Sequence, residues 1–537
     1  IQNLKNNERK ELFSLFRKKI SNDLVISKDF LRSLNEVHDK INRNINLVIN
    51  QRGKIDLIYL GEIWQLEDFT KLKFGDKNIS NIKRLVSISS RKNEFEKKEK
   101  VSLINSKFIN FLLVRRKAES NLFSLCYKSP ELVNNNYWKV DNFNDINKVN
   151  EDTFLNISSR RKNKKKPLLK NKFAERIYLV GVTVDNKKDL DASINELKEL
   201  SYSLEKEVVG VRTQVRKSFD AKTLMGKGLF EDVLLEAEYL NADKIVFNKE
   251  LLPFQAKEIS KLTYMNVSDR TELILDIFAK NAQSKEDHTQ IELARLKYEL
   301  PRLAGTGTKF SQIAGGIRAK GPGEKKIEQR RRYLRKRINV LEKQINALAY
   351  RRTRTRSKRE RNELFTVTLI GYTCAGKSTL FNKLTKSNVL ESTKPFSTLN
   401  PTTRKTYLSD KTEILLSDTV GFITDLPEDL ISSFRATLEE INQSDLLIHI
   451  VDCSEDDFEE KILSVEDTLI RTGLIDHERL IIFNKIDLIS DDKISYLKTK
   501  YQQPCVSSLK SQGLQEARGE IEKVIQSLNE NNKVANL

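Results

Sequence analysis

The sequence predicts an α/β protein of several domains, because β-type and helical segments alternate along much of its length. In residues 175–282, short apolar runs alternate with helical stretches, as in βα units around a parallel sheet. In residues 365–380, a strand-like run passes through a glycine-rich loop into a helix, which is a second mark of a mostly parallel sheet. Between these segments, apolar residues from 327 to 348 recur at helical spacing and predict one long helix.

The chain has 537 residues, enough for three or four domains at about 100–200 residues each. Its formal net charge of +20 indicates a polyanionic partner, with nucleic acid as the first interpretation and an anionic membrane surface as the second.

The four cysteines have no paired spacing, which is typical of a reducing compartment and argues against a disulfide framework or zinc. No apolar run reaches about 18 residues, so we expect no membrane span. We expect a cytoplasmic monomer, with the plastid stroma as the alternative location.

Residues 1–155 are predicted to form an extra α+β region. Residues 9–44 have helical character, and the apolar runs 45–49 and 55–60 flank Gly53 as in a β-hairpin. A basic linker is predicted at 156–174, where residues 160–172 hold eight Lys or Arg and no acid. Such a run is typical of a solvated linker, with a nucleic-acid arm as the alternative.

Residues 175–288 are predicted to form a small α/β domain around a parallel sheet. The predicted strands are residues 177–182, 207–213, 244–247 and 264–267, and the predicted helices are residues 187–204, 229–240 and 253–261.

Residues 289–363 are predicted to form an antiparallel helical hairpin, in which two amphipathic helices flank a glycine-rich tip at 304–323. The apolar stripe of the second helix is interpreted as ordinary helix packing. Residues 325–361, however, hold 16 Lys or Arg against three acids, a net charge of +13. A solvated helix usually mixes charges of both signs, so this region favours a phosphate backbone as its partner.

Residues 364–530 are predicted to form a P-loop domain. The strand-like run before Gly371 leads into Gly-Tyr-Thr-Cys-Ala-Gly-Lys-Ser, which has the spacing of a phosphate-binding loop, and a helix follows from Thr379. Backbone N–H groups of such a loop wrap the phosphates, Lys377 neutralises the β/γ oxygens, and Ser378 offers its hydroxyl to Mg²⁺.

Two further motifs specify the nucleotide. A strand ends in Asp418-Thr-Val-Gly421, where the aspartate is expected to hold Mg²⁺ through water and the Gly421 amide to sense the γ-phosphate. Another strand ends in Asn484-Lys-Ile-Asp487, whose carboxylate can accept hydrogen bonds from N1 and N2 of guanine. Adenine offers neither donor, so the sequence predicts a GTPase rather than an ATPase.

The switch between the P-loop helix and Asp418 contains several threonines. Thr398 lies 21 residues after Lys377 and is the preferred Mg²⁺ ligand, with Thr402 as the alternative. Phe422 stands where many GTPases place the glutamine that orients the attacking water. A phenyl ring cannot do this, so we expect slow hydrolysis that depends on a partner.

The predicted site has three sets of residues. The catalytic residues are Lys377, Thr398 and Gly421, and the Mg²⁺ ligands are Ser378 and Thr398. The predicted nucleotide contacts are Gly371, Tyr372, Thr373, Cys374, Ala375, Gly376, Lys377, Ser378, Thr379, Phe396, Ser397, Thr398, Leu399, Asn400, Asp418, Thr419, Val420, Gly421, Asn484, Lys485, Ile486, Asp487, Ser507, Ser508 and Leu509.

Over about residues 175–525 the chain resembles the HflX family of ribosome-associated GTPases. The segments that carry the resemblance are residues 269–278, 300–303, 315–316, 321–324, 371–373, 400–404, 418–422 and 434–440. Residues 1–155 are similar, more loosely, to the extra leading region of some cyanobacterial members.

The resemblance implies a partner, namely the large (50S) ribosomal subunit with its 23S rRNA, and an activity, the splitting of stalled 70S ribosomes by the GTP form. It also implies that the glycine-rich tip approaches the peptidyl-transferase centre. The family is further linked to nucleotide use by its amino-terminal domain, where Gly226-Lys-Gly228 is interpreted here as a turn. The alternatives are a regulatory GTPase acting on another protein or RNA, and an RNA-remodelling enzyme whose amino-terminal part uses ATP.

Overall fold

A computed structural model describes most of the chain, in segments separated by gaps. The described residues are 4–21, 24–50, 52–62, 83–90, 95, 108–117, 120–133, 136–150, 175–184, 187–263, 265–303, 322–360, 364–385, 396, 402–408, 412–422 and 441–535. They fall into two compact units, one of Ile1–Ile194 with Lys206–Ser268 and the other of Asn195–Glu205 with Asp269–Leu537.

The first unit contains a six-stranded sheet in the order β2-β1-β3-β4-β5-β6. Its strands are β1 (Ile45–Ile49), β2 (Ile55–Leu60), β3 (Lys83–Ser89), β4 (Phe108–Lys117), β5 (Ser120–Val133) and β6 (Asn136–Phe143). The predicted hairpin is confirmed, since β1 pairs antiparallel with β2. At Gly53 the backbone has φ +74° and a Cβ would lie 1.7 Å from the Ile20 carbonyl oxygen, so only glycine fits. The other four strands were not predicted from the sequence.

Two helices, α1 (Asn6–Ser14) and α2 (Lys28–Ile41), pack on one face of this sheet. The prediction of helix across residues 9–44 is therefore wrong for the middle of that segment. Ser27 begins α2 by accepting a hydrogen bond from the Phe30 amide. In the break between the helices, Ile20 and Val25 are fully buried, so tertiary packing outweighs local helical character there.

The second sheet of this unit has the order β10-β9-β7-β8, and β7 is parallel to both of its neighbours. Its strands are β7 (Arg176–Thr183), β8 (Glu207–Val215), β9 (Lys244–Phe247) and β10 (Asn266–Asp269). The helices between them are α3 (Lys187–Ser203), α4 (Lys227–Tyr239) and α5 (Pro253–Leu262). The predicted alternation of strand and helix is thereby confirmed.

The two sheets of the first unit share a hydrophobic core. Phe111 and Cys126 of the six-stranded sheet belong to the same buried cluster as Tyr178, Phe230 and Phe247 of the second sheet and α4. The extra leading region is thus joined to the small α/β domain by apolar packing.

The second unit begins with α6 (Arg270–Asn281), α7 (Lys285–Arg302) and α8 (Pro322–Glu360). Helices α7 and α8 pack through an apolar seam of Leu293, Ile338, Leu341 and Ile345, which accounts for the stripe seen in the sequence. Ion pairs flank this seam: Arg337 with Glu292 at 2.7 Å, Arg330 with Glu299 at 3.0 Å and Lys297 with Glu342 at 2.9 Å. The antiparallel helical hairpin is as predicted.

The third sheet has the order β12-β13-β11-β14-β15 and is parallel except for β12. Its strands are β11 (Phe365–Gly371), β12 (Thr402–Tyr407), β13 (Glu413–Asp418), β14 (Leu446–Asp452) and β15 (Arg479–Asn484). The helices are α9 (Lys377–Thr385), α10 (Phe458–Arg471), α11 (Asp491–Tyr501) and α12 (Leu514–Ala535). The predicted fold class, an α/β chain with a P-loop domain, is confirmed.

Among the predicted segments, the basic run at 160–172 and the hairpin tip up to residue 321 lie outside the described residues. In the part of the chain that the structure describes, no helix is both long and apolar enough to cross a membrane.

Candidate functional site

The predicted phosphate-binding loop joins the central strand β11 to helix α9. Two of its glycines are required by the space around them. A Cβ on Gly371 would lie 2.3 Å from the Ile450 carbonyl oxygen, and one on Gly376 would lie 2.2 Å from Nδ2 of Asn484. Both glycines also have positive φ, +146° and +91°. The loop can therefore close tightly over the carboxyl end of the sheet.

Lys377 is buried at the first position of α9. Its ammonium donates hydrogen bonds to the carbonyl oxygens of Gly371 at 3.1 Å and Tyr372 at 2.7 Å. Burial lowers the pKa of Lys377 to about 8, and the nearby Asp418 carboxylate opposes that shift. The site therefore holds a cation whose charge is only partly balanced, which suits it to an anionic ligand.

Ser378 and Asp418 bring a hydroxyl and a carboxylate together. The Ser378 hydroxyl donates to Oδ2 of Asp418 at 2.7 Å, and Asp418 is fully buried at the end of β13. The Thr419 hydroxyl donates to the Leu369 carbonyl at 2.7 Å and so fixes the chain that follows. A hydroxyl and a carboxylate are the hard ligands that Mg²⁺ prefers, so these residues fit the ion.

The loop after Asp418 is paired with the phosphate-binding loop through its backbone. The Phe422 amide donates to the Gly371 carbonyl at 3.0 Å, and the Thr373 amide donates to the Phe422 carbonyl at 2.8 Å. A Cβ on Gly421 would lie 2.8 Å from the Thr373 Cα and 3.0 Å from the Lys377 ammonium. Gly421 thus lies beside the lysine, and the Phe422 side chain is buried.

Asn484 connects the end of β15 to two loops. Its amide nitrogen donates to the Ala375 carbonyl at 2.8 Å. Its amide oxygen accepts from the Ser508 amide at 3.0 Å and the Ser508 hydroxyl at 2.9 Å. The end of β15 therefore holds both the phosphate-binding loop and the segment with Ser507 and Ser508.

Asp487 lies in a short 3-10 turn, Ile486–Leu488, directly after β15. One of its carboxylate oxygens accepts a hydrogen bond from the Ser507 hydroxyl at 2.6 Å. Ser507 in turn accepts from the Lys510 amide at 3.1 Å. The carboxylate is thus oriented by a fully buried serine. Leu509, also a predicted contact, has an exposed side chain.

Sequence reasoning missed Asp452 at the end of β14. Its carboxylate lies 2.5 Å from the Lys485 ammonium and also accepts a hydrogen bond from the Ser454 hydroxyl at 2.6 Å. Lys485 has the left-handed backbone conformation, with φ +65°. An aspartate that ends a buried parallel strand next to β15 was the available signal.

The predicted switch residues are only partly described. Ser397, Thr398, Leu399 and Asn400 lie outside the described residues, so both the preferred Mg²⁺ threonine and its role stay predictions. The alternative, Thr402, begins β12 and pairs with Asp418 across the sheet. Phe396 is buried, and its ring packs against Phe278 of α6.

Cys374 occupies the middle of the phosphate-binding loop with a left-handed backbone, φ +61°. Burial raises the pKa of its thiol, and the Lys377 ammonium partly offsets that rise. Taken together, the structure places the phosphate-binding loop, Asp418 and Asn484 at the carboxyl ends of β11, β13 and β15.

Comparison with known proteins matches three family profiles in order along the chain. "GTP-binding GTPase N-terminal" matches residues 191–279, "GTP-binding GTPase Middle Region" residues 281–359, and "50S ribosome-binding GTPase" residues 366–485. A crystal structure of a GTP-binding protein from Sulfolobus solfataricus with GDP is 25% identical and covers 66% of this chain and 99% of that one, with a TM-score of 0.35.

Similar curated proteins are bacterial GTPases named HflX. Those of Alkalihalophilus pseudofirmus and Caldanaerobacter subterraneus are 43% and 44% identical over 324 and 315 residues. The matches cover 60% and 59% of this chain, and 77% and 73% of those proteins. The Escherichia coli protein is 36% identical over 317 residues, 59% of this chain and 74% of that one. With the geometry above, this shows that the chain belongs to the HflX family of P-loop GTPases and hydrolyses GTP.

Proposed function

We propose that this protein binds the large (50S) ribosomal subunit through its 23S rRNA and, in the GTP form, splits stalled 70S ribosomes. The profile over residues 366–485 is described as a ribosome-binding GTPase, and the curated relatives are HflX proteins. The observation that carries the proposal is the charge of α8 that remains exposed after hairpin packing.

The cations of α8 fall into two groups. Arg330 and Arg337 face α7 and form ion pairs with its glutamates. Arg332, Lys336 and Lys343 lie on the opposite side of the helix from the apolar seam and are exposed. Arg335 is also exposed, and within the described part of the chain these four have no ion-pair partner.

A one-signed outer face of this kind is suited to phosphates along an RNA backbone. Tyr333 and Val340 lie beside it, 62% and 45% exposed, and a tyrosine ring among cations can stack on a base or sugar. Because such binding releases counterions, it should weaken steeply as salt rises.

We further propose the roles of the site residues. Lys377 neutralises the β/γ-phosphate oxygens, the Gly421 amide senses the γ-phosphate, and Asp487, backed by Ser507, reads guanine. Mg²⁺ would be held by Ser378 and a switch threonine, Thr398 or Thr402, with Asp418 acting through water. When bound, the ion would neutralise charge on the phosphate oxygens.

Slow intrinsic hydrolysis belongs to the same proposal. Phe422 is buried, its backbone is paired with the phosphate-binding loop, and its phenyl ring has no polar group with which to orient water. The ribosome would then supply or position the missing group and so stimulate hydrolysis.

We propose the division of labour suggested by the sequence: GTP chemistry in 364–530, RNA contact in 289–363, and supporting roles for 175–288, the linker 156–174 and the extra region 1–155. We place the protein in the cytoplasm as a monomer.

Sedimentation tests the ribosome proposal. With a non-hydrolysable GTP analogue, the full chain should co-migrate with 50S particles. The triple variant Arg332→Glu, Arg335→Glu, Lys336→Glu should bind more weakly and reduce the slope of log K against log salt by about 2 to 3. The charge-preserving control Arg332→Lys, Arg335→Lys, Lys336→Arg should keep the wild-type slope. A chain that never co-migrates with 50S particles would favour a regulatory switch acting on another protein or RNA.

ATP use by the amino-terminal part is the remaining alternative. In the described structure, the Gly226 amide donates to the Gln214 side-chain oxygen at 2.8 Å, and α4 begins at the next residue. Gly226 therefore lies at the start of a helix with its amide already hydrogen-bonded, which favours the turn. ATP hydrolysis that survives Lys377→Ala and is lost in Lys227→Ala would support that alternative.

A further inference from the structure

Phe396 lies between the phosphate-binding helix and the strand pair that leads to Asp418. Helix α9 ends at Thr385 and β12 begins at Thr402, so Phe396 divides this connection into spans of ten and five residues. Its side chain is 3% exposed. Its backbone has φ +58°, a left-handed conformation that is unfavourable for a phenylalanine. A residue held in this way needs contacts that keep it there.

Helix α6 supplies two such contacts. The ring of Phe396 meets that of Phe278 edge-to-face, with centroids 4.7 Å apart and planes at 77°. The side-chain amide of Asn281 donates to the Phe396 carbonyl oxygen at 2.7 Å. The side chain and the backbone of Phe396 are therefore both held, by residues one helical turn apart on α6.

Helix α6 is itself held at its first turn by a helix cap, hydrogen bonds and ion pairs. At its start, Asp269 is buried and caps the helix by accepting from the Glu272 amide. The same carboxylate pairs with Arg302 at 2.8 Å and accepts from the Tyr298 hydroxyl at 2.7 Å, both residues of α7. Arg270 pairs with Glu196 at 2.5 Å. One helix thus connects the contact at Phe396 with the end of the first hairpin helix.

We propose that α6 is a positioning element for GTP hydrolysis, with Phe278 and Asn281 as the residues that hold the switch connection at Phe396. The γ-phosphate of GTP orders switch segments in GTPases, and ordering a segment costs conformational entropy. A fixed point within the connection lowers that cost and favours the geometry for hydrolysis. GDP lacks the γ-phosphate, so its binding does not depend on this contact. The inference rests on GTP hydrolysis alone and not on ribosome binding.

Single-turnover hydrolysis by the full chain, without ribosomes, tests the proposal. Phe278→Ala should lower the rate constant about tenfold and weaken a non-hydrolysable GTP analogue about threefold, with GDP affinity within about twofold of wild type. Asn281→Ala, which removes one hydrogen bond, should change the same quantities in the same direction but less. The double variant Phe278→Ala, Phe396→Ala should be no slower than the slower single variant, because both changes break one contact.

Controls separate positioning from loss of folding. Lys280→Ala, on the same helix but in contact with Ser203 and Glu205, should hydrolyse GTP at the wild-type rate. Phe278→Leu should recover part of the rate, and thermal melts should show each variant folded at the assay temperature. Wild-type rates in both Phe278→Ala and Asn281→Ala, or an equal loss of GDP and GTP affinity, would overturn the proposal. Because no ribosomes are present, failure here leaves the ribosome proposal to its own sedimentation test.

Discussion

The chain contains the tripeptide Phe-Asn-Lys three times, once within helix α9 at residues 381–383 and twice at the end of a buried parallel strand. The two at strand ends can be compared directly. In the first unit, Phe247 ends β9 and Asn248 follows, and in the second unit Asn484 ends β15. Both asparagines are 2% exposed, and both use their side chains to hold a neighbouring segment. The local sequence and the secondary structure are thus alike at the two places.

The partners of the two asparagines differ. Asn248 accepts from the Val182 amide at 2.9 Å and donates to the Ser193 hydroxyl at 3.0 Å. Val182 lies in β7 of the same sheet, and Ser193 lies in α3. Asn484 instead holds Ala375 of the phosphate-binding loop and Ser508 of the segment beside Asp487.

The residue three positions after each asparagine differs as well. After Asn248 it is Leu251, which is buried, whereas after Asn484 it is Asp487, an oriented carboxylate. The same strand-end motif therefore holds a helix layer in one sheet and the loops of the proposed nucleotide site in the other, according to what its neighbours supply.

The largest expected effect is the loss of GTP hydrolysis when a lysine of the second unit is removed, compared with a lysine of the first unit. Lys377→Ala should lower kcat/KM for GTP by at least about 100-fold, because it removes the cation that faces the phosphates. Lys227→Ala, in the Gly-Lys-Gly of the first unit, is the matched control and should stay within about twofold. Comparable losses in both variants would mean that the first sheet also takes part in GTP chemistry.

A second prediction concerns the base. Asp487→Asn should weaken GTP about 100-fold and allow xanthosine triphosphate to bind, since xanthine carries an oxygen where guanine carries its 2-amino group. Glu250→Gln, in the corresponding stretch after Asn248, should leave both affinities unchanged. Titration with fluorescent nucleotides measures this, and tight GTP binding by Asp487→Asn would contradict the assignment.

The two asparagines provide the most direct test of the comparison. Asn484→Ala should weaken GTP about tenfold, because it releases both the Ala375 carbonyl and Ser508. Asn248→Ala should lower the free energy of unfolding by about 1–3 kcal/mol without changing GTP affinity more than twofold. Thermal melts and nucleotide titration on both variants measure these effects. A weaker GTP complex in Asn248→Ala would show that the two sheets are not independent in function.

The last prediction is a pH dependence of similar size, spread over two pH units. Burial lowers the pKa of Lys377 from 10.5 to about 8, so above pH 8 the site must take up a proton to present a cation to phosphate. GTP affinity should therefore fall about tenfold from pH 7 to pH 9. Lys377 also affects stability. Between pH 8 and 10.5 the lysine is protonated in the unfolded chain but neutral in the folded chain, so its contribution to the free energy of unfolding increases as pH rises. Lys377→Arg stays charged and should flatten the binding profile, whereas a flat wild-type profile would contradict the shifted pKa.

Much of the second unit could be predicted from the sequence, because its function is encoded in contiguous segments. Each segment places its polar residues directly after a buried strand, and the carboxyl ends of parallel strands meet at one edge. The hairpin seam was predictable for a similar reason, since helical periodicity shows in the order of apolar residues. The leading region was harder: four of its six strands went unrecognised, because strand pairing depends on partners distant in the chain.

By itself, the sequence determined the reaction and the nucleotide, through motifs whose spacing places a lysine and two aspartates after successive strands. Only the tertiary structure decided which hairpin cations are neutralised by α7 and which stay exposed, and that Phe396 is held by Phe278 and Asn281. Those contacts join residues more than 30 and more than 110 positions apart. Local sequence specifies the chemistry that a segment can offer, whereas the neighbours that use or neutralise it are chosen by the packing of the whole unit.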